Sequence, residues 1–385
     1  METYLIQVRN NTSLYVKLFF SMLFLFILAR ENSVAQNGIV EIDEEVIFYH
    51  TYGYEQGEEW IIPVRAYVIE SRIGIERIIT GFFTRRRGLS SDEREIFRSR
   101  ISDFLADSES GEEVIFVFDN DPNEEEFRIL DSEGYRAQTD LNGVVEGYIS
   151  LPKERGEELL RAQESKSGWL KLRAVSDEHT GTGYIQLIPS EGLSVISDID
   201  DTVKISGLPV GRSFVIRKTF FEEFEAAPLM AKRYQRWEDA VFHYVSGAPW
   251  QLYRPLSEFL LSSEQGFPKG TFHMKFVPKN LISINTWSSL SGLATNENIT
   301  HDQKIVQISA IFNDFPKREF ILVGDSGERD PEVYREISNR YPDQIKEIII
   351  RDVINDRQMN PERLEGMTII PAPTFIGKAN QSEGQ

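Results

Sequence analysis

From Gly192 onward the chain repeats one pattern: a short apolar run, a polar motif, then an amphipathic helical stretch. The runs are Leu193 to Ile196, Phe242 to Val245, Phe320 to Val323 and Ile348 to Ile350. Such alternation predicts parallel strands joined by crossover helices. In an open sheet of that kind, ligands sit beyond the carboxyl ends of the strands. The unusual polar residues of this sequence stand directly after the runs.

The first motif is Ser197-Asp198-Ile199-Asp200-Asp201-Thr202. Three carboxylates in four positions at a strand end are costly unless a cation compensates them. Magnesium suits the role, because it takes oxygen ligands and few of them from protein. An extended chain would put Asp198 and Asp200 on opposite faces, whereas a tight turn would bring both to one substrate. The plainer reading, an acidic surface loop, fits poorly with an apolar strand leading straight into the acids.

Three later segments suit the same site. Ser246-Gly247-Ala248-Pro249-Trp250 sets a small hydroxyl beside a glycine, suited to a phosphoryl oxygen. A helix beginning near Pro249 would present its N-terminus to an anion. Alone, this segment reads equally well as a strand-to-helix turn with a capping Ser. Lys304 opens a helix from His301 to Phe315 and shares the row of Ile308 and Ile311, which places it on the buried side. There it would neutralise carboxylate and phosphate together; a snorkelling lysine is the alternative. The last segment is Gly324-Asp325-Ser326-Gly327-Glu328-Arg329-Asp330, where glycine lets the backbone come close. Alone it reads also as a turn with solvated acids. Four such segments in order, each behind a strand or on a helix, carry more weight than any one.

The set resembles the four motifs of the haloacid dehalogenase superfamily. More narrowly, Asp198-Ile199-Asp200-Asp201-Thr202, Val245-Ser246-Gly247-Ala248-Pro249-Trp250 and Gly324-Asp325-Ser326-Gly327 resemble the App1-like phosphatidate phosphatase family, over roughly residues 190 to 355. Gly247-Ala248 departs from the Ser-rich version of that motif, which touches substrate choice. The resemblance implies a Rossmann-like parallel α/β sheet over residues 191–372. It implies a phosphoric monoester hydrolase that releases phosphate, with phosphatidate as substrate and diacylglycerol as product. Asp198 would be the nucleophile and Asp200 the general acid and base. Magnesium would be held by Asp198, the backbone carbonyl of Asp200 and Asp325, with Asp330 supporting. Ser246 and Lys304 would hold the phosphoryl group. Thr202 would order the loop, with Gly247 and Gly324 as supporting positions, and Asp201 takes no catalytic part.

Residues 37–190 read differently. Glu45 to Tyr49, Trp60 to Val68, Val114 to Phe118, Gly147 to Leu151 and Trp169 to Val175 are rich in β-branched and aromatic residues, with turn chemistry between them. Ser90 and Glu93 form a capping box ahead of Ile96, Phe97, Ile101, Phe104 and Leu105 at helical spacing. The expectation is a β-sandwich-like domain with a helical insertion. Ahead of it, Leu18 to Ala29 is an apolar run with Ser33-Val34-Ala35 behind, the pattern of a signal peptide over residues 1–35. The run is shorter than the roughly 20 residues of a membrane span. This points to export to a periplasmic or extracellular space, with an uncleaved N-terminal anchor as the alternative. Residues 373–385 read as a flexible tail.

A net charge of -19 argues against sequence-independent binding to nucleic acid and against electrostatic docking on anionic bilayers, though peripheral membrane contact through a local patch stays open. Arg85-Arg86-Arg87 reads as a solvated turn. Between the first two motifs, Arg217, Lys218, Phe220, Phe221, Phe224, Leu229, Met230, Lys232 and Arg233 would suit an anionic amphiphile, but such stripes usually pack as core. With no cysteine there are no disulfides and no thiolate sites.

Gly324-Asp325-Ser326-Gly327 echoes a serine protease loop, yet none of the five histidines stands in a catalytic context. A zinc site fails for the same scarcity of ligands. The rivals that remain are a phosphatase for soluble phosphoesters or phosphoproteins, and a non-catalytic module that kept the fold. Sequence leaves the oligomeric state open.

Overall fold

The computed structural model describes residues 44–70, 89–176, 179–262, 264–276 and 297–373. The leader, Arg85-Arg86-Arg87 and the tail from 374 onward lie outside the described residues. Among the described residues no helix is long and apolar enough to cross a membrane.

The C-terminal half forms a six-stranded parallel sheet. Its order is Gly270–Lys275, Val241–Pro249, Glu191–Ser197, Lys317–Asp325, Ile345–Asp352, Thr368–Pro371. From the Glu191–Ser197 strand the chain first builds outward on one side and then returns to build on the other. The order therefore reverses between Glu191–Ser197 and Lys317–Asp325, and a crevice opens at such a switch point. The central strands are apolar on both faces, as parallel strands covered by helices must be. Val195, Val323 and Ile349 pack to one side, and Ile196, Leu322 and Ile350 to the other. The helix Glu297–Asp314 lays Ile305, Ile308, Ile311 and Phe312 on the second side.

The N-terminal half is mostly antiparallel, and its predicted strands are present. Two more, Thr51–Gln56 and Thr182–Leu187, join what the sandwich expectation treated as separate sheets into one ten-stranded network. The two halves of that network still share a core, in which Phe48 meets Phe116 edge to face. Glycine in TYGYEQ and TGYIQL masks both joining strands in the sequence. The capping box on helix Ser91–Leu105 is present: Glu93 N–H donates to Ser90 Oγ at 3.1 Å, and Ser90 N–H to the Glu93 carboxylate at 2.7 Å.

That helix packs on the segment between the first two motifs. Phe97 stacks on Phe221, and Arg100 donates to the carbonyls of Thr219 and Glu222 at 2.6 and 2.7 Å. The Arg100 guanidinium lies 3.6 Å from the ring centre of Phe224. Within the segment Phe220, Phe221 and Met230 are core, and Arg217 and Lys218 pair with Glu222. Packing, rather than a free cationic face, accounts for most of it.

Candidate functional site

Asp198 follows the Glu191–Ser197 strand and is buried. Its amide donates to Val323 O at 2.9 Å, which fixes it against the neighbouring strand. Asp325 ends that neighbouring strand, and Asp330 opens the helix Asp330–Arg340. Asp198, Asp325, Glu328 and Asp330 each offer an oxygen within 4.8 Å of the others. Lys304, buried, donates to Asp198 Oδ1 at 2.8 Å, Glu328 at 3.0 Å and Asp330 Oδ1 at 2.5 Å. The sequence expectation of an inward lysine on the row of Ile308 and Ile311 holds.

Three carboxylates pair with one ammonium, and a fourth, Asp325, lies beside them. Burial pushes the Asp198 carboxyl well up from its ordinary range; Lys304 pulls the other way, and Asp330 and Glu328 push further up. Asp325 is pushed up by burial and then by Asp330 and Asp198. Glu328 rises for the same reason against the pull of Lys304. Burial would lower Lys304, but Asp198, Asp330 and Glu328 hold it well above its usual value. Among the described residues, Asp198 Oδ2 and Asp325 Oδ2 are buried without a hydrogen-bond partner. Two orphaned oxygens in an over-acidic pocket fit a bound cation, and all four acids could hold a metal ion.

The second acid of the first motif stands apart. Asp200 Oδ1 accepts from Lys204 Nζ and from Ser206 Oγ, while Oδ2 has Ser246 Oγ at 3.3 Å. Burial would raise this carboxyl, but Lys204 and then Ser206 bring it below its ordinary value. Its side chain is outside the four-acid grouping. Asp201, at φ +54°, accepts from the amides of Ser206, Gly207 and Leu208 at 2.8–2.9 Å. Its own carbonyl accepts from Arg351 at 2.6 Å. The loop is therefore ordered by Asp201. Thr202, expected to do this, has a buried hydroxyl without a hydrogen-bond partner among the described residues.

Ser246 is buried inside an extended strand, since Val241–Pro249 runs four residues beyond the predicted end. The regular helix begins only at Tyr253, after a short turn at Trp250–Leu252, so no helix N-terminus directly follows Ser246. Continued pairing with Gly270–Lys275, through Pro249 and Lys275, keeps the chain extended. A Cβ on Gly247 would come within 2.8 Å of Thr300 Cγ2, and one on Gly324 within 2.7 Å of Asp330 Cβ. Both glycines let a neighbouring element approach.

Sequence reasoning assigned no role to Glu328, Lys204, Ser206 or Arg363. Arg363 donates to Ser326 O at 2.5 Å and to Glu328 O, and grips Glu332 with both ends at 2.6 and 2.9 Å. It braces the turn that carries Glu328. Lys204 had a usable signal, a lysine two places past Thr202 in an acidic chain; Arg363 had none.

Comparison with known proteins bears on the same stretch of chain. Residues 193–352 match the model of the catalytic domain of phosphatidate phosphatase APP1. The chain is 34% identical over 228 residues to phosphatidate phosphatase APP1 of Saccharomyces cerevisiae, covering 58% of this chain and 36% of that one. It is 29% identical over 231 residues to an uncharacterized protein of Schizosaccharomyces pombe, covering 55% and 34%. The chain thus spans about a third of the length of these curated relatives.

Proposed function

We propose that the protein, whose residues 193–352 match the catalytic-domain model of phosphatidate phosphatase APP1, is a magnesium-dependent phosphatase of the haloacid dehalogenase type. Its proposed substrate is a phosphomonoester, phosphatidate first, with the relative's name supporting the lipid. The observation that carries the proposal is the placement of Asp198 at a switch-point strand end, one oxygen on Lys304 and the other without a partner among the described residues.

Asp198 attacks phosphorus in line and forms an aspartyl-phosphate. Asp200 gives a proton to the departing oxygen and takes one from the hydrolytic water. Lys304 and Ser246 hold the phosphoryl oxygens. Asp198, Asp325, Glu328 and Asp330 would hold magnesium, which when bound supplies charge neutralisation and draws the phosphate to the nucleophile. On this reading the enzyme works after export, as the leader-like residues 1–35 imply. Soluble phosphoesters are the second substrate reading, favoured by the net charge of -19.

The test is phosphate release by the purified protein with magnesium, from phosphatidate in mixed micelles and from p-nitrophenyl phosphate. Asp198→Asn is expected to lower release by about a thousandfold or more. Release from the soluble ester alone would remove the lipid assignment and keep the mechanism. Release unchanged in Asp198→Asn would remove the mechanism.

A further inference from the structure

Asp200 is held much more closely at one of its two oxygens than at the other. Oδ1 accepts from both Lys204 Nζ and Ser206 Oγ, the latter at 2.5 Å, and Lys204 Nζ also donates to Ser206 Oγ. Oδ2 has a single long contact, Ser246 Oγ at 3.3 Å. Lys204 is itself fixed: it is buried and its amide donates to Ile199 O at 3.0 Å. Its backbone bridges to Asp200 on one side and Ala226 on the other. Its ammonium lies 5.1 Å from the ring centre of Phe224, so the ring closes one side of it. Ser206 is fully buried and tied through its amide to Asp201.

We infer that Lys204 and Ser206 are positioning residues that pin Oδ1 of Asp200, so that Oδ2 is the atom that exchanges the proton with the substrate. The inference rests on the phosphatase reading above. In the first step the bond from Asp198 to phosphorus forms and the ester P–O bond breaks. The Oδ2 proton passes to the departing oxygen, which leaves as the alcohol. In the second step water attacks phosphorus, Oδ2 takes its proton, and the bond to Asp198 breaks to release phosphate. Both transfers use the same oxygen, held at one angle by two donors on the other. A carboxylate free to rotate would present that oxygen in only a fraction of encounters, and proton transfer depends on placement within hydrogen-bond reach.

The geometry therefore separates substrates by how much their departing oxygen needs a proton. The experiment compares kcat/KM for phenyl phosphate, whose departing oxygen is strongly basic, with that for p-nitrophenyl phosphate, whose departing oxygen leaves without help. Lys204→Met is expected to lower the phenyl phosphate value by about 100-fold and the p-nitrophenyl phosphate value by less than about tenfold. Ser206→Ala is expected to shift the ratio in the same direction by a smaller factor, and Lys204→Arg to return it most of the way to wild type. The ratio is taken on one preparation, so a loss of folded protein cancels. Equal losses on both esters in Lys204→Met would overturn the inference and leave Lys204 a structural lysine. No release from either ester by the wild-type protein would overturn the phosphatase reading, and this inference with it.

Discussion

The N-terminal network and the C-terminal sheet both bury acids, and they treat them in opposite ways. In the N-terminal half the buried acids among the described residues, Asp103 and Asp121, each meet an arginine. Asp121 pairs with Arg155 and accepts from the amides of Asn123 and Glu125 at 2.9 and 3.1 Å; burial would raise it, and these donors bring it below its ordinary value. Asp103 meets Arg254 at 3.2 Å, and Glu44 meets His179 at 2.9 Å. Even the trio of Glu44, Glu112 and His179, close enough together for an ion, contains this pair. At the strand ends of the parallel sheet, Asp198, Glu328 and Asp330 all pair with Lys304, and Asp325 stands beside them with no ion pair among the described residues. Clustering of acids is thus common to both halves. What separates them among the described residues is a group of four acids gathered round one buried lysine, and that excess of negative charge fits a bound cation.

The largest expected effect falls on that excess itself. Asp325→Asn is expected to lower magnesium-dependent phosphate release more than about 100-fold, because the site loses a ligand with an otherwise unbonded oxygen. Magnesium is expected to stabilise the wild type by about 2.7 kcal/mol at a hundred times its dissociation constant, and the variant far less. Thermal melts with and without magnesium read this. A variant that keeps its full magnesium response would move the cation elsewhere.

Next comes a broken partner in the other half. Arg155→Met leaves Asp121 buried and unpaired, and is expected to cost about 3 kcal/mol of stability in urea unfolding. Activity per folded molecule should stay unchanged. An unchanged unfolding midpoint would show that the backbone amides alone suffice for Asp121.

The smallest effect concerns Asp103. Burial raises its carboxyl to about 6, against the pull of Arg254 and with Glu45 and Glu258 adding to the rise. A folded value above the ordinary carboxyl value of about 3.9 means that stability is fully present below pH ~4 and is lost as pH rises through 6. The loss from this group is at most about 3 kcal/mol by that linkage. Asp103→Asn should therefore flatten the fall in stability between pH 4 and 7. Parallel curves for the two proteins would reassign the slope to other groups.

The sequence made one half of this contrast legible and concealed the other. Asp198, Lys304, Asp325 and Asp330 were readable because an apolar strand or helical row delivers each to one place, and period and strand-end position are local properties. Glu328 sat in the quoted motif without a role, since nothing local distinguishes an inward glutamate from a solvated one. Asp201 was given no role, and its work in ordering the loop was credited to Thr202. That work depends on amides five to seven residues away. Arg363 and Arg100 reach their partners across 35 and about 120 positions, and no periodicity records such distances. Likewise the joining strands Thr51–Gln56 and Thr182–Leu187 owe their pairing to partners far along the chain, which override weak local propensity.

Arg100 has a wider consequence. It lies against Phe224, and Lys204 lies against the same ring. A residue of the N-terminal helix thus supports, through one aromatic side chain, the lysine that holds Asp200. The border near residue 190 divides two kinds of sheet without dividing two independent machines. For protein engineering, this makes the halves poor candidates for exchange: a chimera that keeps every motif residue but brings a foreign N-terminal half would lose the backing of Phe224. In evolutionary terms the same stack ties the drift of one half to the chemistry of the other.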